Sequence, residues 1–219
     1  MESHRRAFLR LMLGVGAAPL LTACSATSGE SATRRRRPLA EVESVPPLPD
    51  ELTNWQPMDG STQRDLASLL GALPRSRWAT AAPIPSRMNS LGQANIEHIT
   101  VHHEGSSAVY FDGMSQVQRR LDSVRRGHLS RAWGDIGYHF IIDRAGRVWE
   151  GRPLQYQGAH VKNHNYHNLG VMALGNFDEQ SPTQAQLDRL VRVIKIARAT
   201  CNVPMSRLHT HQELGPTRC

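Results

Sequence analysis

The 219-residue chain carries a formal charge of +7 at neutral pH and 39% hydrophobic residues, enough for one packed domain with appendages. Residues 1–37 hold seven arginines against Glu2 and Glu30, so most of the basic excess belongs to a leader and a short tract behind it. The other 182 residues carry 19 basic and 17 acidic side chains, which argues against a nucleic-acid-binding surface, because that needs Lys and Arg clustered on the folded body.

Residues 1–23 read as an export signal. A basic start containing Arg5-Arg6 and then Phe8-Leu9 is similar to a twin-arginine leader. The apolar run over 11–21 is too short to span a bilayer, which takes about 20 apolar residues, but suits a signal-peptide core. Leu21-Thr22-Ala23-Cys24 resembles a lipobox, which makes Cys24 the expected lipidation site and mature N-terminus. The plainer alternative is an ordinary signal peptide with an incidental cysteine. Ser25 rather than Asp after the cysteine, by resemblance to Gram-negative lipoprotein sorting, points to an outer-membrane anchor facing the periplasm. Residues 24–50, rich in Ser, Thr, Arg and Pro, cannot bury a core and read as a disordered tether. Residues 51–73 contain Leu66, Leu69 and Leu70 at helical spacing, an accessory segment, and the main domain is expected over 74–219.

Within that domain, 96–102 alternates with period two and predicts a strand. Residues 114–126 are polar and amphipathic, a helix. Segments 138–142 and 147–150 flank Asp143-Arg144-Ala145-Gly146, a hairpin with glycine in its turn. The continuously apolar 169–174 reads as a buried central strand. Ser181, Pro182 and Gln184 supply an N-cap, a first-turn proline and a capping-box partner for a helix over 182–200. Its buried face is expected to hold Leu187, Leu190, Val191, Ile194 and Ala197. The sum is a mixed α/β domain, a central mixed sheet flanked by a few helices.

Chemistry concentrates at the C-terminus. His211 and Cys219 stand eight positions apart across a Gly- and Pro-containing segment that can fold back, and His102 ends the first strand. Two imidazoles and a thiolate suit Zn²⁺, and three protein ligands leave a fourth position open. Taken singly, each of the 11 histidines reads equally as a surface or core residue. His103 should face away from His102, because side chains alternate along a strand.

Three segments resemble the fold shared by bacterial N-acetylmuramoyl-L-alanine amidases, animal peptidoglycan-recognition proteins and a phage lysozyme-like amidase. These are Ile99-Thr100-Val101-His102-His103, then Trp133-Gly134-Asp135-Ile136-Gly137-Tyr138-His139-Phe140, then 211–219. Glu150-Gly151-Arg152, Gly158-Ala159-His160, Asn165, Leu169-Gly170-Val171 and Gly175-Asn176-Phe177 follow in the family's order, and Arg75-Ser76-Arg77-Trp78 looks like its opening. The resemblance implies one Zn²⁺ per chain on His102, His211 and Cys219, in a groove at one edge of the sheet. It implies Tyr138 and Thr217 as catalytic residues, and Arg152, His160 and Asn165 as substrate-binding residues. It implies hydrolysis of the amide joining muramic acid to the L-alanine of the peptide stem, with peptidoglycan or muropeptides as partners, in a monomer. Related amidases carry a glutamate on the central strand, whereas Gly170-Val171-Met172-Ala173-Leu174-Gly175 has no acid, so the chain is of the tyrosine-dependent type with no general base identified. Members continue past the ligand cysteine with Pro-Gly and a closing helix, so a terminal carboxylate at Cys219 is expected near the metal, competing for its open position.

Competing readings stay open at this point. Cys201 and Cys219 could form a disulfide, a fourth ligand at His209 would make the zinc structural, Tyr138 could be a packing aromatic and Thr217 an ordinary loop hydroxyl. A non-catalytic peptidoglycan-binding module is the main rival function.

Overall fold

The computed structural model describes residues 66–91 and 96–219. The leader, Cys24, the tether and residues 51–65 of the accessory segment lie outside the described residues. Among the described residues, no helix is long and apolar enough to cross a membrane.

Five strands form one mixed sheet in the order β3-β2-β4-β1-β5: β1 His98–His103, β2 Phe140–Ile142, β3 Val148–Glu150, β4 Asn168–Ala173 and β5 Leu208–Thr210. β4 runs parallel to both β1 and β2, β5 is parallel to β1, and only the β2–β3 hairpin is antiparallel. Every residue of β4 is buried, which is why its sequence is apolar without alternation: both faces are covered. Helix α1 (Met114–Leu129) places Val117 and Leu121 in a cluster with Trp78, Ile136, Ile141, Trp149, Met172 and Leu174. Also present are helix α2 (Gln184–Cys201), a four-residue turn, α3 (His211–Leu214), and short 3-10 turns at Arg75–Arg77, Pro85–Arg87 and Met205–Arg207.

The hairpin turn closes as its sequence requires. Gly146 takes φ +79°, and the buried Asp143 carboxylate accepts from the Ala145 and Arg147 amides (3.0 Å each) and from the Trp149 indole (2.8 Å). Residues 66–69 are helical, with Leu66 and Leu70 buried and Leu69 exposed. Leu73 then bridges Trp149 in parallel, extending the outer edge of β3.

Helix α2 differs from expectation in two details. Its N-cap is Thr183, not Ser181. The Thr183 hydroxyl accepts from the Gln186 amide (3.1 Å) and the Gln186 side chain accepts from the Thr183 amide (3.2 Å). The later start wins because it buries Gln186, whose amide group also donates to the Leu174 carbonyl at 2.9 Å. The buried stripe is rotated accordingly: Leu190, Val193, Ile196, Ala197 and Thr200 face the core, while Leu187, Val191 and Ile194 lie at its margin.

Candidate metal centre

Two segments build the centre, β1 and the continuous stretch 208–219. His102 is buried at the penultimate position of β1, and the neighbouring strands β4 and β5 fix β1 on both sides. β5 leads into α3 through a capping box in which the Thr210 amide donates to Glu213 (2.7 Å), so His211 opens the helix with a defined direction. The chain then doubles back, with the Gln212 side chain donating to the Thr217 carbonyl at 3.3 Å. The Sγ of Cys219 arrives 3.6 Å from Nδ1 of His102, and the ligand atoms of His102, His211 and Cys219 all lie within 4.8 Å of one another.

His103 alternates away from His102, as strand geometry demands, and has its own task. Its Nδ1 accepts from the Phe177 amide (2.8 Å), so Nε2 carries the proton and donates to the Arg218 carbonyl (3.3 Å). The Cys219 thiol donates to the carbonyl of His103 at 3.6 Å. One residue thus anchors the end of the cysteine segment to β1. Nothing in the spacing of the motif announced that role.

The donor set fits zinc. Zn–N near 2.0–2.1 Å and Zn–S near 2.3 Å put a tetrahedral N and S roughly 3.5–3.6 Å apart, the separation found here between His102 and Cys219. His102 is held well below the usual imidazole range, first by burial and then by His160, His211 and His103, so it is neutral and able to ligate. Burial also lowers His211, with His103 adding to the effect. The Cys219 thiol is pushed up to about 11 by burial, opposed by its bond to His103 and reinforced by Asp178, so this thiol is protonated unless a cation is beside it. Both Cys201 and Cys219 are free thiols, so the disulfide reading fails. His209, the fourth ligand a structural zinc would require, turns instead to His98, with Nε2 at 3.2 Å from its Nδ1.

Tyr138 lies beside the trio, its ring 5.2 Å from that of His102. The loop that carries it is tied down from several directions. Asp135, fully buried, accepts from Arg75 (3.0 and 2.8 Å) and from Arg125 (2.7 Å). Nδ1 of His128, on the last turn of α1, accepts from the Gly137 amide (3.0 Å), and Gly137 in turn accepts from Ala159 (3.0 Å). Arg152 donates to the carbonyls of Ile136 (2.8 Å), Gln157 (2.8 Å) and Asp135 (3.1 Å). Burial raises the Tyr138 hydroxyl above its ordinary value, helped by the nearby Cys219 and Glu104, so it remains a proton donor at neutral pH. Thr217 Oγ accepts from the Cys219 amide (3.1 Å), which leaves its O–H able to donate elsewhere.

The remaining expected site residues are engaged within the protein. Arg152 is 4% exposed with its guanidinium on three carbonyls. Asn165 Oδ1 accepts from the amides of His160 and Val161, at 2.8 Å each. His160 is buried, with Nδ1 at 3.0 Å from Nε2 of His102. Glu104 is ion-paired with Arg120, and Glu150 accepts from the Arg75 amide at 3.0 Å.

A family model described as N-acetylmuramoyl-L-alanine amidase matches residues 92–219. The human N-acetylmuramoyl-L-alanine amidase is 33% identical over 153 residues, covering 67% of this chain and 26% of its own length. A peptidoglycan-recognition protein of Drosophila melanogaster is 32% identical over 125 residues, 57% of this chain and 66% of its own. The chain spans about a quarter of the length of the human and porcine amidases it matches. Among solved structures, Drosophila PGRP-LB superimposes with a TM-score of 0.59 at 25% identity, over 68% of this chain and 86% of its own. The ectodomain complex of peptidoglycan recognition proteins LCa and LCx, solved with tracheal cytotoxin bound, gives a TM-score of 0.59 at 25% identity over 67% and 87%. With the sheet order, the His-His-Cys convergence and the match over 92–219 in agreement, the chain belongs to the N-acetylmuramoyl-L-alanine amidase family and has the fold of the peptidoglycan-recognition proteins.

Proposed function

We propose that the chain is a zinc-dependent amidase that hydrolyses the bond between N-acetylmuramic acid and the L-alanine of the peptidoglycan stem. The observation that carries this reading is the convergence of His102, His211 and Cys219 beside Tyr138. Three protein ligands leave a position for water or substrate, whereas structural zinc sites are closed by four.

When bound, zinc supplies Lewis-acid polarisation of the scissile carbonyl and brings the pKa of water towards about 7. His102 and His211 offer neutral nitrogens, and Cys219 gives up its proton on binding. Tyr138, held protonated and fixed by its loop, donates a hydrogen bond to the carbonyl oxygen as negative charge gathers there. Thr217 adds a second hydroxyl from the cysteine segment. Glu104 and Glu150 are occupied by Arg120 and Arg75, and β4 carries no acid, so neither glutamate is given a part in proton transfer. The leader motifs extend the reading to an exported chain anchored in the membrane through lipid at Cys24.

A muropeptide of N-acetylmuramic acid and its peptide stem tests the reaction class. Incubation with the zinc-loaded chain should give free stem peptide and peptide-less sugar, with one water added across the amide in the summed masses. Retention of the intact muropeptide on a protein shown to hold zinc would identify a recognition module instead.

A further inference from the structure

We propose that His160 is a positioning residue that fixes which nitrogen of His102 faces the metal; this rests on the zinc reading above. The chain of hydrogen bonds begins at a backbone carbonyl. His160 Nε2 lies 3.1 Å from the oxygen of Asn168, which can only accept, so Nε2 bears the proton. A neutral imidazole protonated there has Nδ1 as an acceptor only. That Nδ1 is 3.0 Å from Nε2 of His102, so His102 donates through Nε2 and is left with its lone pair on Nδ1. Nδ1 is the atom that stands 3.6 Å from Cys219 Sγ, on the ligand side. A single carbonyl on β4 thus sets two successive tautomers and aims one lone pair. A ligand histidine held through its second ring N–H by an acceptor is the usual way proteins orient such a ligand, though a carboxylate or carbonyl generally serves.

The surroundings of the ring hold it in one seat. It packs against Gly158 and Gly170, and a Cβ at Gly170 would come within 2.5 Å of its Cδ2, while one at Gly158 would come closer still. Asn165 clasps the loop by accepting the amides of His160 and Val161 at 2.8 Å each. His160, expected from the family resemblance to contact substrate, lies against the metal ligand His102, and Asn165 holds the His160 backbone.

The test compares the wild-type chain with His160→Asn and His160→Gln. Asn can set an acceptor oxygen where Nδ1 lies, keeping the bond to His102; Gln keeps a group near Nε2 and loses that acceptor. Zinc affinity is read by competition with a chromophoric chelator. His160→Gln should weaken zinc binding about 10–100-fold, the usual effect of removing such an outer partner, and His160→Asn should recover most of the loss. Equal losses in both variants, or none in His160→Gln, would overturn the proposal. Nitrogen-15 NMR of the unmutated, zinc-loaded protein gives an answer independent of how the variants fold. It should show His102 protonated at Nε2 and ligated through Nδ1, and the reverse assignment would overturn the proposal. Failure of the wild-type chain to bind zinc at all would instead strike at the zinc reading.

Discussion

Replacing Asp135 by alanine tests whether the buried ion cluster holds the tyrosine loop. The carboxylate is fully buried and receives three charge-assisted hydrogen bonds, two from Arg75 and one from Arg125. The side chain of Arg125 is 4% exposed and that of Arg75 is 14% exposed, so removing the anion strands Arg125 without water while Arg75 is partly rehydrated. Breaking a buried pair from one side costs about 3–5 kcal/mol, and the cost here falls mainly on Arg125. Urea denaturation should therefore show a lower midpoint at nearly unchanged slope. The double variant Asp135→Ala with Arg125→Met removes the stranded charge and should recover part of the loss. Asp135→Asn keeps one acceptor and should cost less, about 1–3 kcal/mol. A loss below about 1 kcal/mol for Asp135→Ala would refute the reasoning, since it would mean that water reaches the cluster or that Arg125 finds another partner.

Acid should destabilise the fold through His128 and His139, which are buried neutral and held down to about 4 mainly by burial. The unfolded chain binds their protons from about pH 6.5, so stability is complete above that pH and is lost as pH falls towards about 4, by roughly 3 kcal/mol for each group. Urea midpoints measured between these limits check the slope, and a flat profile would contradict it. Tyr138→Phe should lower kcat at least about 10²-fold while leaving zinc affinity within a factor of about two, because the hydroxyl serves the developing oxyanion and ligates nothing; steady-state kinetics beside chelator competition separate the two. Cys24→Ser should move the chain from the membrane fraction to the soluble exported fraction, and unchanged membrane association on fractionation would remove the lipid anchor from the account.

The parts of the fold that follow from short-range pattern were legible in the sequence. The period-two run before His102, the apolar run that became β4 and the Asp143–Gly146 turn each depend on neighbours a few residues away, and each appeared where expected. The cap of α2 shows where such reading stops. Ser181 and Thr183 both offer a capping hydroxyl, and the choice was made by Gln186 reaching the Leu174 carbonyl, a tertiary contact. The candidate metal ligands were picked out by the family resemblance, since donor type and spacing alone did not single them out among 11 histidines, and the structure brings all three together. What holds them was not visible: His103 on the Arg218 carbonyl and His160 on His102 join residues 115 and 58 positions apart. Asp135 joins Arg75 across 60 positions, with no local signal to mark the pair.

The most direct test of the account is peptidoglycan digestion by the full chain, followed by mass spectrometry, with chelator and then with zinc restored. The account predicts free stem peptides and peptide-less glycan, release that stops on chelation, and release that returns with zinc. Persistent release in a sample shown to be stripped of metal would contradict the zinc-dependent mechanism, and binding without release in the zinc-loaded sample would contradict the amidase itself.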